Sequence, residues 1–304
     1  MAWKCLIPLL SLVWLGIGAE TFTVMTYNVE NYLVKPFGNR KAKPEASRKK
    51  VVQILKAANA DVVALQEMGR REAFVELQGR LKQAGLHYPH AVWVDGPDPA
   101  IQLAVLSRFP LHDNRSKTRV DFLLDGRRYL VSRGIGEVEI QVNAKYRFTM
   151  FNVHLKSKRP VGHAEQSAIR LEEARAVRKC VEDRLRDAPD INLLLVGDLN
   201  DSPDSDPVKD LIGRKKPRLT DLRPVEHNGD QAAHPYNPRY DPRRVAWTHF
   251  YGLKDEYSRL DYLLASAGMA RELDRTGTRI LAVADWGTAS DHRPVVARFV
   301  AEDR

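Results

Sequence analysis

Leu193-Leu194-Leu195-Val196-Gly197-Asp198-Leu199-Asn200 is the stretch from which the fold can be read. Ile191 to Val196 is a short apolar run, which predicts a buried strand. Such a strand would present Asp198 and Asn200 at a sheet rim, side by side on one face because strand side chains repeat every second residue. Gly197 leaves room there for a ligand to approach closely. Asp-x-Asn also makes good turns, and Asn200-Asp201-Ser202-Pro203 is turn-like, so the meaning of this rim depends on the rest of the chain.

Just upstream, Leu171, Ala174, Val177, Val181 and Leu185 mark one face of a long charged helix. Cys180 falls on it beside Val177 and Val181, where a buried structural thiol is expected. Further back, Thr21 to Tyr27 reads as a first strand ending at Asn28, and Pro44 opens a helix carrying Val51, Ile54, Leu55 and Ala58. Val62 to Leu65 is a buried strand that delivers Gln66 and Glu67, and Phe74, Leu77 and Leu81 form a helix closed by Gly85. Strands are expected in quick succession over 91–94, 103–107, 129–133, 137–142 and 147–154, which suggests antiparallel pairing. Downstream, residues 201–247 are rich in proline and basic side chains and read as an excursion over the surface. Residues 260–264, 280–283 and 295–300 would be the closing strands. The pattern argues for a layered α/β domain with two sheets packed face to face and helices outside.

The chain has 304 residues, 43% of them hydrophobic, enough for a real core. Its formal charge of +9 suits a polyanionic partner, nucleic acid or an anionic lipid surface, although a merely soluble basic surface reads the same. Residues 1–19 carry Lys4, an apolar stretch from Cys5 to Ile17 and small residues at Gly18 and Ala19, the pattern of a cleavable signal peptide. A secreted or periplasmic protein is therefore expected, with residues 20–304 as one domain. Its mature form would keep Cys180 alone and form no internal disulfide. Nothing in the sequence calls for a protein partner, and a monomer is expected.

Several polar residues stand at the ends of these strands. Glu67 ends an apolar strand, where a carboxylate is costly unless it binds a cation or a donor. Asp291 and His292 adjoin in Ser290-Asp291-His292, with Asp291 cast as a metal ligand and His292 as a proton-handling group. Asp261, in Arg259-Leu260-Asp261-Tyr262, could orient His292 and stabilise its imidazolium. Asn28 could hold a phosphate oxygen. Glu30 is either a second carboxylate ligand or a strand-end cap. His154 leads into Lys156, Lys158 and Arg159, a cluster suited to phosphate, or else a solvated loop. There is no Gly-x-Ser-x-Gly elbow, zinc-type spacing, Walker loop or dinucleotide fingerprint. The inventory is that of a metal-assisted phosphoesterase: carboxylates for a hard cation, amides for phosphate oxygens or water, imidazoles for protons.

In this order, Tyr27-Asn28, Gln66-Glu67, Asn152-Val153-His154-Leu155, Gly197-Asp198-Leu199-Asn200, Leu260-Asp261-Tyr262 and Ser290-Asp291-His292 resemble the endonuclease/exonuclease/phosphatase superfamily over about residues 23–299. The resemblance implies a four-layer α/β sandwich of two mixed β-sheets flanked by helices, Mg²⁺ or Mn²⁺ at Glu67 with Asp291, and phosphoester hydrolysis. Histidine at 154, where exonuclease III-like members have tyrosine, makes the site more similar to deoxyribonuclease I. The chain lacks the Trp-Cys-Asp-Arg signature of inositol polyphosphate 5-phosphatases. It shows no clear equivalent of the aromatic hairpin of secreted sphingomyelinases, although Trp247, Phe250 and Tyr251 are close together. The expected activity is that of a nuclease in which Asp198 or His292 activates water, His154 binds or protonates oxygen at the scissile group, and Asn28 and Asn200 hold oxygens. The basic stretches 35–50, 156–159 and 214–218 would track the nucleic-acid backbone. A phosphatase or phospholipid phosphodiesterase for a small or membrane-borne substrate is the alternative, and a binding module without catalysis is a third reading.

Overall fold

The computed structural model describes residues 20–162 and 164–303. The leader expected over 1–19 lies outside the described residues. The first half of the chain runs β1 (Thr21–Tyr32), α1 (Glu45–Ala58), β2 (Val62–Met68), α2 (Arg71–Gln83), β3 (His90–Val94), β4 (Gln102–Ser107), β5 (Leu111–Asn114), β6 (Asp121–Leu124), β7 (Arg127–Leu130), β8 (Gly136–Gln141) and β9 (Arg147–His154). It continues with α3 (Gln166–Asp187), β10 (Leu193–Asp198), α4 (Asp206–Ile212), β11 (Thr220–Asp221), β12 (His249–Tyr251) and β13 (Glu256–Ser258). The closing elements are β14 (Asp261–Ala265), α5 (Ala267–Arg271), β15 (Leu273–Ile280) and β16 (Val295–Val300). Among the described residues no helix is long and apolar enough to cross a membrane.

Two six-stranded mixed sheets result, ordered β15-β16-β1-β2-β4-β3 and β11-β14-β10-β9-β8-β5. Period-2 alternation explains the layering. On β10, Leu194 and Val196 face the other sheet while Leu193 and Leu195 pack toward α3. On β1, Phe22 and Val24 enter the space between the sheets, and Met25, Tyr27 and Val29 join the core shared with α1 and α2. One apolar cluster thus lies between the sheets and one on each outer side, giving helix, sheet, sheet, helix. The four-layer α/β sandwich expected from the sequence is the observed fold.

The differences are local. β1 runs past Asn28 to Tyr32 because its register with β2 shifts there, with Glu30 and Asn31 at φ of 43° and 48°. The strand expected at 280–283 is placed earlier, as β15, which ends at Ile280. The strand expected at 129–133 contributes only Tyr129 and Leu130 to a small β6–β7 ribbon. Residues 201–247 are not purely an excursion: they contain α4, whose Val208 and Leu211 are buried against α3, and β11.

Candidate active site

Four strands deliver the site. β1 and β2 of the first sheet bring Asn28 and Glu67, while β9 and β10 of the second bring His154 and Asp198, paired in register with each other. Beneath these residues the sheets are joined by buried amides. Gln66 donates to Asn152 Oδ1 (2.7 Å), and Asn152 Nδ2 donates to the carbonyls of Leu65 (3.1 Å) and Ala104 (3.0 Å). Each amide would be costly in an apolar layer; together they are satisfied and fix one sheet against the other.

The close approach at Gly197 has a different cause from the one expected. Its φ is 136°, and a Cβ there would lie 1.9 Å from the Val153 carbonyl oxygen, so glycine is required by the neighbouring strand rather than by a ligand. The alternation expected to align Asp198 and Asn200 also fails, because β10 ends at Asp198 and Asn200 turns away at φ 53°. Their proximity comes from an Asx turn: Asn200 N donates to Asp198 Oδ1 (2.8 Å), and Asn200 Nδ2 is spent on the Leu155 carbonyl (3.0 Å).

Asp198 is the hub. Asn28 Nδ2 donates to its Oδ2 (2.9 Å), and the same oxygen lies 3.5 Å from His154 Nε2 and 3.7 Å from His292 Nε2. His292 Nδ1 bonds Asp261 Oδ2 at 2.8 Å, the orientation expected from the sequence. Ser290 is no nucleophile: its Oγ donates to the Asn28 carbonyl (2.8 Å) and accepts from His292 N, locking the 290–292 turn against β1.

Burial sets the titration of this cluster. It raises Asp198 to about 7, with Asp261 adding to the effect and His292 opposing it. Burial alone would lower His292, but the carboxylates of Asp261, Asp198 and Asp291 outweigh it and hold the imidazolium well above the usual range. His154 goes the other way, kept neutral by burial and by the positive charge of Arg133 and His292.

At the acidic end of the cleft Glu67, at φ 57°, accepts from Asn31 N (2.9 Å) and faces His154 Nε2 at 3.9 Å. Lys43 donates to the Glu30 carbonyl (2.7 Å) and stands 3.8 Å from its carboxylate. Burial lowers the Lys43 ammonium, while the negative charge of Glu30, Glu67 and Asp291 opposes that shift. Glu30 itself is raised by burial and by Asp291. Asp291 Oδ1 and Asp261 Oδ1 are buried without hydrogen-bond partners, as carboxylate oxygens suited to a divalent cation would be. Among the described residues the compact groups of potential ligands are His249/Asp291/His292 and Asp198/Asp261/His292, each with its atoms within 4.8 Å. Glu67 belongs to neither.

The cleft over these residues has a volume of about 1010 Å³, with Arg40, Arg133, Lys156, Lys158 and Arg159 on its basic side. Lys156 reaches the Arg159 carbonyl (2.9 Å), Lys158 lies 3.8 Å from Asp201, and Arg159 is exposed. Of the basic stretches expected from the sequence, 156–159 lines the cleft, as does Arg40 of 35–50. Arg48 is paired with Glu45 and Glu76, Arg214 with Asp206 and Asp210, and the 214–218 stretch does not line the cleft. The sequence assigned no role to Arg133 or His249, and placed Lys43 only within the basic 35–50 stretch. A basic residue just before the Gly134-to-Gln141 segment was the one available signal for Arg133.

Residues 25–292 match the Endonuclease/Exonuclease/phosphatase family. The chain belongs to this family. No curated protein matches the sequence closely enough to count as a relative. Similar solved folds within reach of the family include the human Nocturnin catalytic domain, at 18% identity and TM-score 0.64 over 92% of this chain and 94% of that one. Sphingomyelinase C from Streptomyces griseocarneus shares 20% identity at TM-score 0.62, covering 92% and 99%. Truncated Caenorhabditis elegans TDP2 shares 17% at TM-score 0.60, covering 92% and 98%. At these identities the likeness carries the family fold and leaves the substrate to the site.

Proposed function

We propose that the chain is a divalent-metal-dependent phosphodiesterase, a nuclease secreted or delivered to the periplasm. The observation that carries this reading is the buried chain Asn28–Asp198–His292–Asp261 at the floor of a cleft walled by cationic side chains. Asp198, raised to about 7, is poised to take a proton from water at neutral pH. The water oxygen then bonds to phosphorus as the ester P–O bond opposite it breaks, and the leaving oxygen is protonated from solvent. His292, held as imidazolium by Asp261, offers Nε2–H to the phosphoryl oxygens as their charge grows. His154, neutral, donates a hydrogen bond toward the scissile group, and Arg133 with Lys156 and Lys158 holds the flanking anion. Asn28 fixes Asp198, and Asn200 shapes the rim through its turn. Glu67, Asp291 and Glu30 would hold Mg²⁺ or Mn²⁺, which when bound supplies positive charge to nonbridging oxygens.

A phospholipid reading has its own support. The β12–β13 hairpin leaves Tyr251 41%, Leu253 85% and Tyr257 59% exposed, and Tyr251 and Lys254 line the cleft. This is an exposed aromatic hairpin for which the sequence showed no clear equivalent. A hydrolysis panel with Mg²⁺, Mn²⁺ and chelator separates the readings, using single- and double-stranded DNA, RNA, sphingomyelin vesicles and inositol phosphates. Nucleic-acid cleavage that chelator and Asp198→Asn both abolish is the expected result. Sphingomyelin turnover with inert nucleic acids replaces nuclease by lipid hydrolase, and inertness toward every substrate leaves a binding module. N-terminal sequencing of the exported protein should begin at Glu20.

A further inference from the structure

We infer that His249 is a nitrogen ligand for the cation at Asp291, so that this end of the cleft takes a borderline divalent ion, Mn²⁺ or Zn²⁺, more tightly than Mg²⁺. The inference deepens the proposed function and rests on its reading of Asp291 as a metal ligand.

His249 is held in place by backbone on both sides. Phe250 N donates to the Asp291 carbonyl (3.0 Å) and Arg293 N to the Thr248 carbonyl (2.6 Å), closing an antiparallel bridge between His249 and His292. Thr248 Oγ1 in turn accepts from the backbone N–H groups of Leu260 (3.0 Å) and Asp261 (3.1 Å). The backbone that carries the imidazole is thus fixed relative to the same segments that carry Asp261, Asp291 and His292. Its ring centre lies 4.7 Å from that of His292, and its Nε2 lies 3.5 Å from Asp291 Oδ2.

That separation is long for a charge-assisted hydrogen bond, which closes to about 2.7–2.9 Å. It is close to the edge of a tetrahedral site, since two ligand atoms each about 2.0–2.1 Å from Zn²⁺ lie roughly 3.4 Å apart. Ion pairing brings His249 Nε2 to Oδ2 and His292 Nε2 to 3.9 Å from Oδ1, yet neither contact is short enough to be a hydrogen bond of the charge-assisted kind. Asp291 Oδ1 is buried without a hydrogen-bond partner although the side chain as a whole is 43% exposed, so one oxygen of this carboxylate is left with lone pairs that no protein donor satisfies. His292 Nδ1 is committed to Asp261, and its Nε2 lies 3.7 Å from Asp198 Oδ2 and 3.9 Å from Asp291 Oδ1. His249, with Nε2 3.5 Å from Asp291 Oδ2, is thus the nearer of the two imidazoles to Asp291 and, among the described residues, the one without a second carboxylate bonded to its Nδ1. Imidazole suits Zn²⁺, and Mn²⁺, although it shares the preference of Mg²⁺ for oxygen, accepts a nitrogen ligand more readily than Mg²⁺, which dehydrates reluctantly and keeps its waters.

The test is made on the whole protein without substrate. Mn²⁺ is added to protein freed of metal, and electron spin-echo modulation reads whether an imidazole ¹⁴N is bonded to the ion, with ¹⁵N-histidine protein as the isotope control. The wild type should show directly coordinated nitrogen, and His249→Gln should lose it. In parallel titrations Mn²⁺ affinity should fall about tenfold or more in His249→Gln while Mg²⁺ affinity changes far less. A wild-type spectrum without coordinated nitrogen overturns the inference whether or not the variant folds, as does a nitrogen signal that His249→Gln keeps in full. Hydrolysis is measured separately. Turnover without nitrogen ligation sinks this inference and spares the phosphodiesterase reading, and nitrogen ligation without turnover on any substrate does the reverse.

Discussion

Asp261→Asn isolates the bond that holds His292 charged. Both groups are almost wholly buried and meet at 2.8 Å. A hydrogen bond to a charged group contributes about 1.5–3 kcal/mol, and if the imidazolium is needed as the transition state forms, that loss converts to roughly a 10- to 150-fold fall in kcat. Asparagine keeps the shape and one acceptor, so the fold should persist, with an added cost of about 1–3 kcal/mol for placing amide hydrogens where Asp261 Oδ1 has no partner. The pH dependence has a definite sign. The folded pKa of His292 lies above the ordinary imidazole value of 6.5, so pairing stabilises the native state fully below that pH and is lost as pH rises through the folded value. The stability gap between wild type and variant should therefore be widest on the acid side of 6.5 and narrow toward alkaline pH. Thermal melts across pH 5–9, single-turnover rates and the ¹⁵N-imidazole titration of His292 measure all three effects. If the His292 titration stays where it was and kcat is unchanged, Asp261 is not what keeps the imidazole charged.

Asp198 gives a second pH signature. Its folded value of about 7 lies above the ordinary aspartate value of 3.8, so the native state holds a proton that the unfolded chain has released. Metal-free protein should lose stability as pH rises from about 4 to 7, and denaturant melts of Asp198→Asn should show this slope flattened while hydrolysis is abolished. Gly197→Ala combines a left-handed φ with a Cβ driven into the Val153 carbonyl, at a cost on the order of 3–5 kcal/mol. A melting temperature within a degree or two of wild type would show that β9 and β10 can part there at little cost.

What could be read in advance follows from physics that is local in the chain. Asn28, Glu67, His154 and Asp198 each follow an apolar run, and a buried strand has to deliver its next polar residue to a rim. Asp261 and His292 were paired because a titrating imidazole needs a partner, and the bond is there. The backbone at the other rims left no such trace: the left-handed residues Glu30, Asn31 and Glu67 sit at register shifts between strands, whereas the turn at Asn200 was legible in Asp-x-Asn and its Asn200-Asp201-Ser202-Pro203 sequel. His249 escaped notice because its hairpin lies behind a proline-rich stretch without periodicity. Its distance to Asp291 is fixed by a bridge across 43 positions, between 249 and 292. In the basic 214–218 stretch, which lies outside the cleft lining, the sequence displays the charge of Arg214 without the carboxylates that neutralise it.

The Gln66–Asn152 amide tie bears on how the molecule would tolerate change. Glu67 and His154 ride on opposite sheets, each at most two positions from that tie, so the span between the two halves of the reaction centre is governed by side chains that never meet substrate. Residues between the layers, such as Val24, Ala64 and Val196, act as spacers for the chemistry as well as filler for the interior. An enzyme built this way can be slowed from within, by a methyl group added or removed far below the opening, with its polar residues all intact.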